Sequence, residues 1–470
     1  MARNYLFYEK NNCCICIHLK YLKREHFMSS ELIIWIIYSS PLLLFFIIYF
    51  YKRQKHHKLS QTFLNQATKD NLLEPASLHP IINLAKCLGC GSCVSACPEH
   101  NVLGLINRHA QLINPANCIG HGACKTSCPQ DAITLVFGSN KRGVEIPNLN
   151  PNFQTNIEGL FIAGELGGMG LIKNAIEQGK QAMNSIAYYV NHQKITSEKT
   201  KKNIIDCVIV GAGPAGLSAM LSAKEKALSI VAIDQDSAGG TVSHFSRGKL
   251  VMTAPANMPL VGKVKFKEVS KETLMNFWLS LIKKYNLKIN QNETMLDIER
   301  DENGLFTLST NKQKYLTKSI LLAIGRRGTP RKLGVEGEEL SKVVYRLIDP
   351  EQYKNEDILI VGGGDSALEA ACSIAELGLC HVSISYRNDS FNRAKAKNRK
   401  RINELIKNGS IELFMSSQVN SIQKLKVELN YRDEIISINN NAVIICAGGV
   451  LPTPFLKKVG IKVETKYGTK

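Results

Sequence analysis

Seven of the chain's 14 cysteines fall between Cys87 and Cys128, in two short runs that share one spacing. The first reads Cys87-x-x-Cys90-x-x-Cys93-x-x-x-Cys97-Pro98. The second reads Cys118-x-x-His121-x-x-Cys124-x-x-x-Cys128-Pro129, with a histidine where the second cysteine would stand. Thiolates repeated every three or four residues converge on a metal centre, which is not how a disulfide framework is spaced. Three-plus-one cysteines ending in Cys-Pro, twice, also fit no common zinc-ribbon spacing. Gly89 and Gly91 let the backbone turn tightly around a bulky group, and Pro98 redirects the chain after the last ligand. Cys207, Cys372, Cys380 and Cys446 are isolated among apolar or small residues and read as core residues. Cys13, Cys14 and Cys16 carry no interpretation.

Over residues 80–138 these runs resemble a two-cluster bacterial-type 4Fe-4S ferredoxin domain. The resemblance implies crossed ligation, in which three thiolates of a run grip one cubane and the fourth reaches across to the other. Cys87, Cys90, Cys93 and Cys128 would then hold one cluster. Cys97, Cys118 and Cys124 would hold the second, with His121 as its candidate fourth ligand. An imidazole in place of a thiolate removes negative charge and raises the reduction potential, as in Rieske centres. The alternatives are a 3Fe-4S cluster or a labile iron at that site, with His121 facing solvent.

From Leu32 to Tyr51 there is no charged residue, and twenty residues at helical rise span roughly 30 Å, the thickness of a bilayer's hydrocarbon core. The run predicts one transmembrane helix over 31–51. Lys52, Arg53, Lys55 and Lys58 follow it and place the C-terminal body in the cytoplasm, at a bacterial inner membrane. Lys20, Lys23 and Arg24 oppose that bias unless translation starts at Met28. A cleaved signal peptide is the alternative, but it needs a shorter apolar core and a small-residue cleavage site. The formal charge of +19 would suit nucleic acid. The basic residues are scattered, however, in stretches such as 194–202 and 395–401 with no nucleic-acid-reading motif, so they read as solvated surface and nucleic acid is not an expected partner.

The 470 residues leave room for about three folded units beyond the apolar run. The apolar strand 204–210 leads into Gly211-Ala-Gly213-Pro-Ala-Gly216, a small-residue helix and a returning strand, 230–233, closed by Asp234. A GxGxxG alone is weak, but strand, glycine turn, helix and strand in this order make a βαβ unit that approaches a pyrophosphate at the helix N-terminus. Asp234 is placed to accept from ribose hydroxyls. A second unit runs from the strand 357–361 through Gly362-Gly-Gly364-Asp-Ser-Ala367 to the strand 381–386. Arg387 ends it, with Arg393 close behind, a pattern that accommodates a 2′-phosphate and favours NADPH, with NADH the alternative if these arginines are plain basic surface.

Residues 206–470 resemble the FAD and NADPH domains of thioredoxin-reductase-like flavoproteins. The segments 320–326 and 442–448 resemble that family's strand-and-glycine domain crossings, and Tyr386 to Ala394 resembles its NADP-phosphate site with one extra residue. In the family a segment after the NADPH domain completes the flavin domain, but a matching stretch here sits upstream. It comprises Phe153-Gln-Thr155-Asn-Ile-Glu-Gly159, the strand into Gly164-Glu165, Gly167-Gly168 and the helix 174–188. The resemblance therefore implies a circularly permuted flavin domain, with Glu165 replacing the family's Asp; an unrelated helical linker is the alternative. Disulfide-reducing members carry Cys-x-x-Cys before the second fingerprint, whereas this chain has Val343-Val-Tyr345-Arg-Leu-Ile-Asp-Pro350.

The expected fold is α/β, with two Rossmann-like dinucleotide-binding domains (FAD and NAD(P)H), a small α+β ferredoxin domain and one transmembrane helix. The expected order is an extension over 1–30, the span 31–51, a linker 52–79, the ferredoxin unit 80–138 and the displaced flavin segment 143–190. A linker 191–203, the FAD domain 204–330, the NAD(P)H domain 331–445 and a return segment 446–470 follow. The apolar run and the resemblances together imply a membrane-anchored oxidoreductase passing electrons between NAD(P)H, FAD and two 4Fe-4S clusters. Its redox partner is open among a ferredoxin, a quinone, a cytochrome and a membrane enzyme, and the sequence allows either direction of flow. Rival readings are an NADPH-dependent reductase of a substrate disulfide and a membrane-tethered redox sensor. No catalytic side chain is nominated. Relatives of this type are often dimers, which leaves a homodimer open.

Overall fold

The structure, a computed structural model, describes residues 14–69, 73, 75, 78–99, 101–118, 120–140, 143–168, 170–193, 204–252, 255–266, 268–326, 328–391 and 394–468, the side chains of 14–33, 36, 37 and 116 excepted. Its first element is a 56-residue helix, α1 (Cys14–Lys69), which contains Pro41. The transmembrane helix expected over 31–51, and the inner-membrane placement with cytoplasmic domains built on it, do not stand. Among the described residues no helix is long and apolar enough to cross a membrane. The charge-free run is not a separate element but the middle of α1, interrupted by Ser39, Ser40 and Pro41; the side chains of residues 32, 33, 36 and 37 lie outside those described. The expected linker 52–79 is helical as far as Lys69 and does structural work: Ser60 and Ala67, two turns apart, are both buried.

Ser60 seats against the next unit. That unit comprises β1 (His79–Ile82), α2 (Ser92–Ala96), β2 (Leu103–Ile106), β3 (His109–Leu112), α3 (Ala123–Thr126) and β4 (Ile133–Val136). β1 pairs with β4 and β2 with β3, both antiparallel. A Cβ added to Gly104 on β2 would lie 2.5 Å from Ser60 Oγ, so the helix and hairpin meet backbone-close. The two cysteine loops share one backbone. Gly89 and Gly91 have φ of 66° and 81°, and Gly120 and Gly122 have 74° and 79°, left-handed positions that glycine takes without steric cost.

The chain then forms β5 (Val144–Pro147), β6 (Leu160–Ile162) and α4 (Ile172–His192) before the first fingerprint, β7 (Ile205–Val210), α5 (Pro214–Glu225) and β8 (Ile230–Ile233). β7 is flanked on one side by β8 and on the other by the strand Lys314–Leu322, all parallel. β6 joins this seven-stranded sheet as a parallel neighbour of Lys314–Leu322, with Leu160 opposite Ile320 and Ile162 opposite Leu322. Strands buried on both faces read as unbroken apolar runs, as β6 and most of β7 do. Along α4, Ile176, Gly179, Met183, Ile186 and Val190 recur at helical spacing and are buried. Ala175, Ala182, Met183, Ile186 and Val190 share a core with Ala215, Ala219 and Met220 of α5.

The second fingerprint belongs to a five-stranded parallel sheet, in the order Val343–Val344, Ala442–Ile445, Asp357–Val361, His381–Tyr386, Ile411–Met415. The two units are joined where Thr329–Pro330 pairs with Gly449–Val450. The C-terminal stretch returns to the first sheet: Leu456 and Ile461 pack with Leu160, Val208 and Ile320, and Val463–Lys466 pairs with β5.

Candidate functional site

Each of the two sets of candidate metal-ligating side chains surrounds a separate space. Cys87, Cys90, Cys93 and Cys128 border one, together with Ile82, Ala110, Ala132 and Ile133. Cys97, Cys118, His121 and Cys124 border the other, with Pro80, Val102, Leu103 and Leu135. The last cysteine of each run thus lies with the first three positions of the other run. Among the described residues no group of three or more such side chains closes tightly enough to hold a single metal ion; each set is spread around a cavity.

The electrostatics of both spaces suit a polynuclear cation. Burial pushes the thiols of Cys93 and Cys124 up to about 11, and neighbouring cysteines add to it. Cys97 and Cys118 are also raised by burial, while a hydrogen bond from Ser92 lowers exposed Cys90. Thiolates gathered in an apolar pocket are costly until bound iron compensates their charge, so metal binding here releases protons. Backbone N–H groups already aim at two sulfurs: Ala110 donates to Cys87 Sγ at 3.4 Å and Ala132 to Cys128 Sγ at 3.3 Å. Such bonds tune a cluster's potential.

His121 stands apart chemically. Burial lowers its basicity, and its Nε2 is buried without a hydrogen-bond partner. Its Nδ1 accepts from the Ala123 N–H at 3.3 Å. With Nδ1 occupied, the proton of the neutral ring sits on Nε2. Ligation through Nε2 therefore requires the proton to shift to Nδ1 and the Ala123 bond to open.

The first glycine turn fits a dinucleotide. Gly211 has φ of 106°, and a Cβ at Gly216 would lie 1.9 Å from Gly211 O, so α5 crosses the turn at contact distance. No side chain caps α5 at Gly213, which leaves the first-turn N–H groups for an anion. Asp234 is buried, and its two oxygens hold the turn itself: Oδ2 accepts from Ala212 N–H at 2.6 Å and Oδ1 from Asp236 N–H at 2.9 Å. Burial raises its carboxyl against those donors. Gly164 lies on the same side, packed on Ala215, and its N–H donates to Gln178 Oε1 of α4 at 2.8 Å. Glu165 follows, half-buried, at the start of the turn 165–167.

The second turn is built alike. Gly362 has φ of 140°, Gly364 opens on free space and no side chain caps the helix Asp365–Ala375, while Ala367 is buried in its core. Asp365, at that helix's first position, is turned aside: its Oδ1 accepts from Lys395 N–H and Asn398 Nδ2, both at 2.8 Å. Arg387 is exposed at the end of its strand, and Arg393 lies outside the described residues. Two contributors, Gln178 and Phe137, were not read from the sequence, and Tyr386 was read only as part of the NADP-phosphate stretch. The structure adds that the Tyr386 ring covers Gly363. Gln178 and Phe137 carry no signal of their own.

Residues 208–469 match the family model for the pyridine nucleotide-disulphide oxidoreductases, and residues 79–129 match that for the 4Fe-4S dicluster domain. Bacilliredoxin reductase from Bacillus subtilis is 24% identical over 267 residues, 56% of this chain and 82% of the relative. A ferredoxin–NADP reductase from Picrophilus torridus is 29% identical over 257 residues, 52% of this chain and 73% of the relative. Among solved structures, bacillithiol disulfide reductase from Staphylococcus aureus is 24% identical, covering 55% of this chain and 81% of its own, with a TM-score of 0.48. Fold and site together define a nicotinamide- and flavin-dependent redox enzyme. The chain belongs to the pyridine nucleotide-disulphide oxidoreductase family, with a mixed α/β fold and a 4Fe-4S dicluster domain in front of it. It is an FAD-dependent NAD(P)H oxidoreductase with iron–sulfur clusters.

Proposed function

We propose that this enzyme exchanges electrons between NADPH and a one-electron carrier protein of the ferredoxin kind, by way of FAD and two 4Fe-4S clusters held in the same chain. The observation that carries the reading is the division of the eight ligand positions into two separate four-residue spaces. The absence of a Cys-x-x-Cys pair from residues 204–470 supports it, because the reducing equivalents then need another outlet. FAD supplies the conversion between a hydride, which carries electrons in pairs, and clusters that carry them singly.

The chain's own residues bind and orient. Gly211, Gly213, Gly216 and the start of α5 receive the FAD pyrophosphate, Asp234 fixes that turn, and Gly164, Glu165 and α4 close the flavin site from a permuted segment. Gly362, Gly364 and Ala367 receive the NADPH pyrophosphate. Arg387 and Arg393 take the 2′-phosphate, with NADH the weaker substrate. Cys87, Cys90, Cys93 and Cys128 hold one cluster; Cys97, Cys118 and Cys124 hold the other, with His121 as fourth ligand.

The test is anaerobic mixing of the cluster-loaded protein with NADPH, following flavin absorbance and low-temperature EPR. Flavin bleaching followed by cluster signals supports the reading. Flavin bleaching with turnover of a small disulfide, and with clusters that exchange with neither NADPH nor NADP⁺, would replace it with disulfide reduction.

A further inference from the structure

We infer that the space bordered by Cys97, Cys118, His121 and Cys124 is the inner of the two metal sites, joined to the flavin-binding turn through Phe137. The space bordered by Cys87, Cys90, Cys93 and Cys128 is then the outer site, where electrons enter or leave the molecule. This rests on the reading above and adds an order to it.

The order follows from the direction of one strand. On β4, Ile133 borders the all-cysteine space and Leu135, two residues on, borders the His121 space. Phe137 follows the strand and packs on Gly168: a Cβ added there would lie 2.7 Å from Phe137 Cζ and 3.1 Å from Cε1. Gly168 closes the turn that begins at Gly164 and Glu165. At about 3.3 Å per strand residue, Leu135 stands roughly 7 Å and Ile133 roughly 13 Å from Phe137 along the chain. The junction is also fixed from the far end of the sequence, since Phe137 O accepts from Gly468 N–H at 2.8 Å.

Both spaces have buried walls, with Cys93, Ala110, Ala132 and Ile133 buried around the all-cysteine one, but its loop rim is more exposed. Next to the all-cysteine space, Cys90 is exposed, Leu88 is 71% exposed and Leu84 53% exposed, and Lys86 lies between the two leucines. Next to the His121 space, Leu78, Val102, Leu103 and Cys124 are buried, and Gly120 sits against Leu78 O, where a Cβ would be 2.6 Å away. On this inference a partner meets the exposed rim at Cys90 and Leu88, and the other space lies towards the flavin turn. The balance is simple: NADPH leaves as NADP⁺ and a proton, and its two electrons depart one at a time from the outer site to two carrier molecules. The opposite flow reverses each term.

The test removes each site in turn from the full chain. In a Cys118→Ser/Cys124→Ser variant, dithionite should still raise the EPR signal of the outer cluster, while NADPH bleaches the flavin and leaves that cluster oxidised. Dithionite-reduced outer cluster should likewise lose its re-oxidation by NADP⁺. In the converse Cys87→Ser/Cys90→Ser variant, the inner cluster should exchange with NADPH or NADP⁺ as in the unmodified chain. Outer-cluster exchange at the unmodified rate in the first variant, or an assembled inner cluster that does not exchange in the second, overturns the order. If the first variant fails to assemble its outer cluster, the second decides. Should neither cluster of the unmodified chain exchange with NADPH or NADP⁺ while the flavin bleaches, the functional reading itself fails.

Discussion

The carboxylate of Asp234 holds the first glycine turn from behind, its Oδ2 accepting the Ala212 N–H at 2.6 Å. Its other oxygen accepts the Asp236 N–H at 2.9 Å. Both donors lose their acceptor in Asp234→Ala; leaving the buried Ala212 N–H unsatisfied costs about 1–3 kcal/mol, and the half-buried Asp236 N–H costs less. Asp234→Asn should fare little better, because the amide offers one acceptor and turns a competing donor towards the other N–H. Denaturant unfolding should show both variants destabilised, with weaker FAD retention. Unchanged stability with loss of FAD alone would instead make Asp234 a ribose ligand.

Gly179 on α4 presents a second close approach. A Cβ there would lie 2.1 Å from Ala215 O, in the first turn of α5. Gly→Ala within a helix ordinarily stabilises by about 0.5–1 kcal/mol. Here the methyl must push α4 away from the turn, so Gly179→Ala is expected to destabilise by about 1–3 kcal/mol and to loosen FAD. Asn184→Ala, exposed on the same helix, should change stability by less than about 0.5 kcal/mol. Equal effects from the two substitutions would dismiss the contact.

Arg387 is exposed and free to meet a 2′-phosphate. A charge-assisted hydrogen bond is worth about 1.5–3 kcal/mol, which converts to roughly a ten- to hundredfold factor. Arg387→Ala should therefore lower kcat/KM for NADPH by that factor and leave kcat/KM for NADH unchanged. A parallel fall with both nucleotides would mean that Arg387 shapes the strand end without reading the phosphate.

The parts legible in the sequence were those fixed over short spans. The crossed grouping of Cys128 with Cys87, and of Cys97 with Cys118, was implied by the ferredoxin resemblance, which rests on two runs of identical short spacing; the pairs themselves are tens of residues apart and meet only in the fold. The two βαβ units were legible because an apolar strand, a glycine turn and a small-residue helix are consecutive. Asp234 shows where this stops. Its place at a strand end was readable, but which groups its oxygens meet depends on Ala212 and Asp236 after folding. Gly179 and Phe137 act through residues brought close only by the tertiary fold, so their roles had no local signature. The run Leu32–Tyr51 misled because absence of charge over twenty residues was read as a self-contained element, whereas the helix containing it extends to Lys69 and carries Ser60 onto β2.

His121 offers the sharpest spectroscopic prediction, because its two nitrogens make opposing demands. Its Nε2 is buried without a partner in a residue lining the space with Cys97, Cys118 and Cys124, while its Nδ1 accepts the Ala123 N–H. If the ring ligates iron, His121→Cys exchanges a neutral ligand for an anionic one and should lower the midpoint potential of one cluster by on the order of 100 mV, the other staying fixed. Pulsed EPR of the reduced unmodified protein should then show strong nitrogen coupling that changes when histidine is labelled with ¹⁵N. A potential unmoved by His121→Cys, with no such coupling, would mean that the Ala123 bond persists and that Nε2–H serves the cluster as a hydrogen-bond donor. Three cysteines would in that case be the protein's whole contribution to the second site, and a three-iron EPR signal in the oxidised protein is the expected companion result.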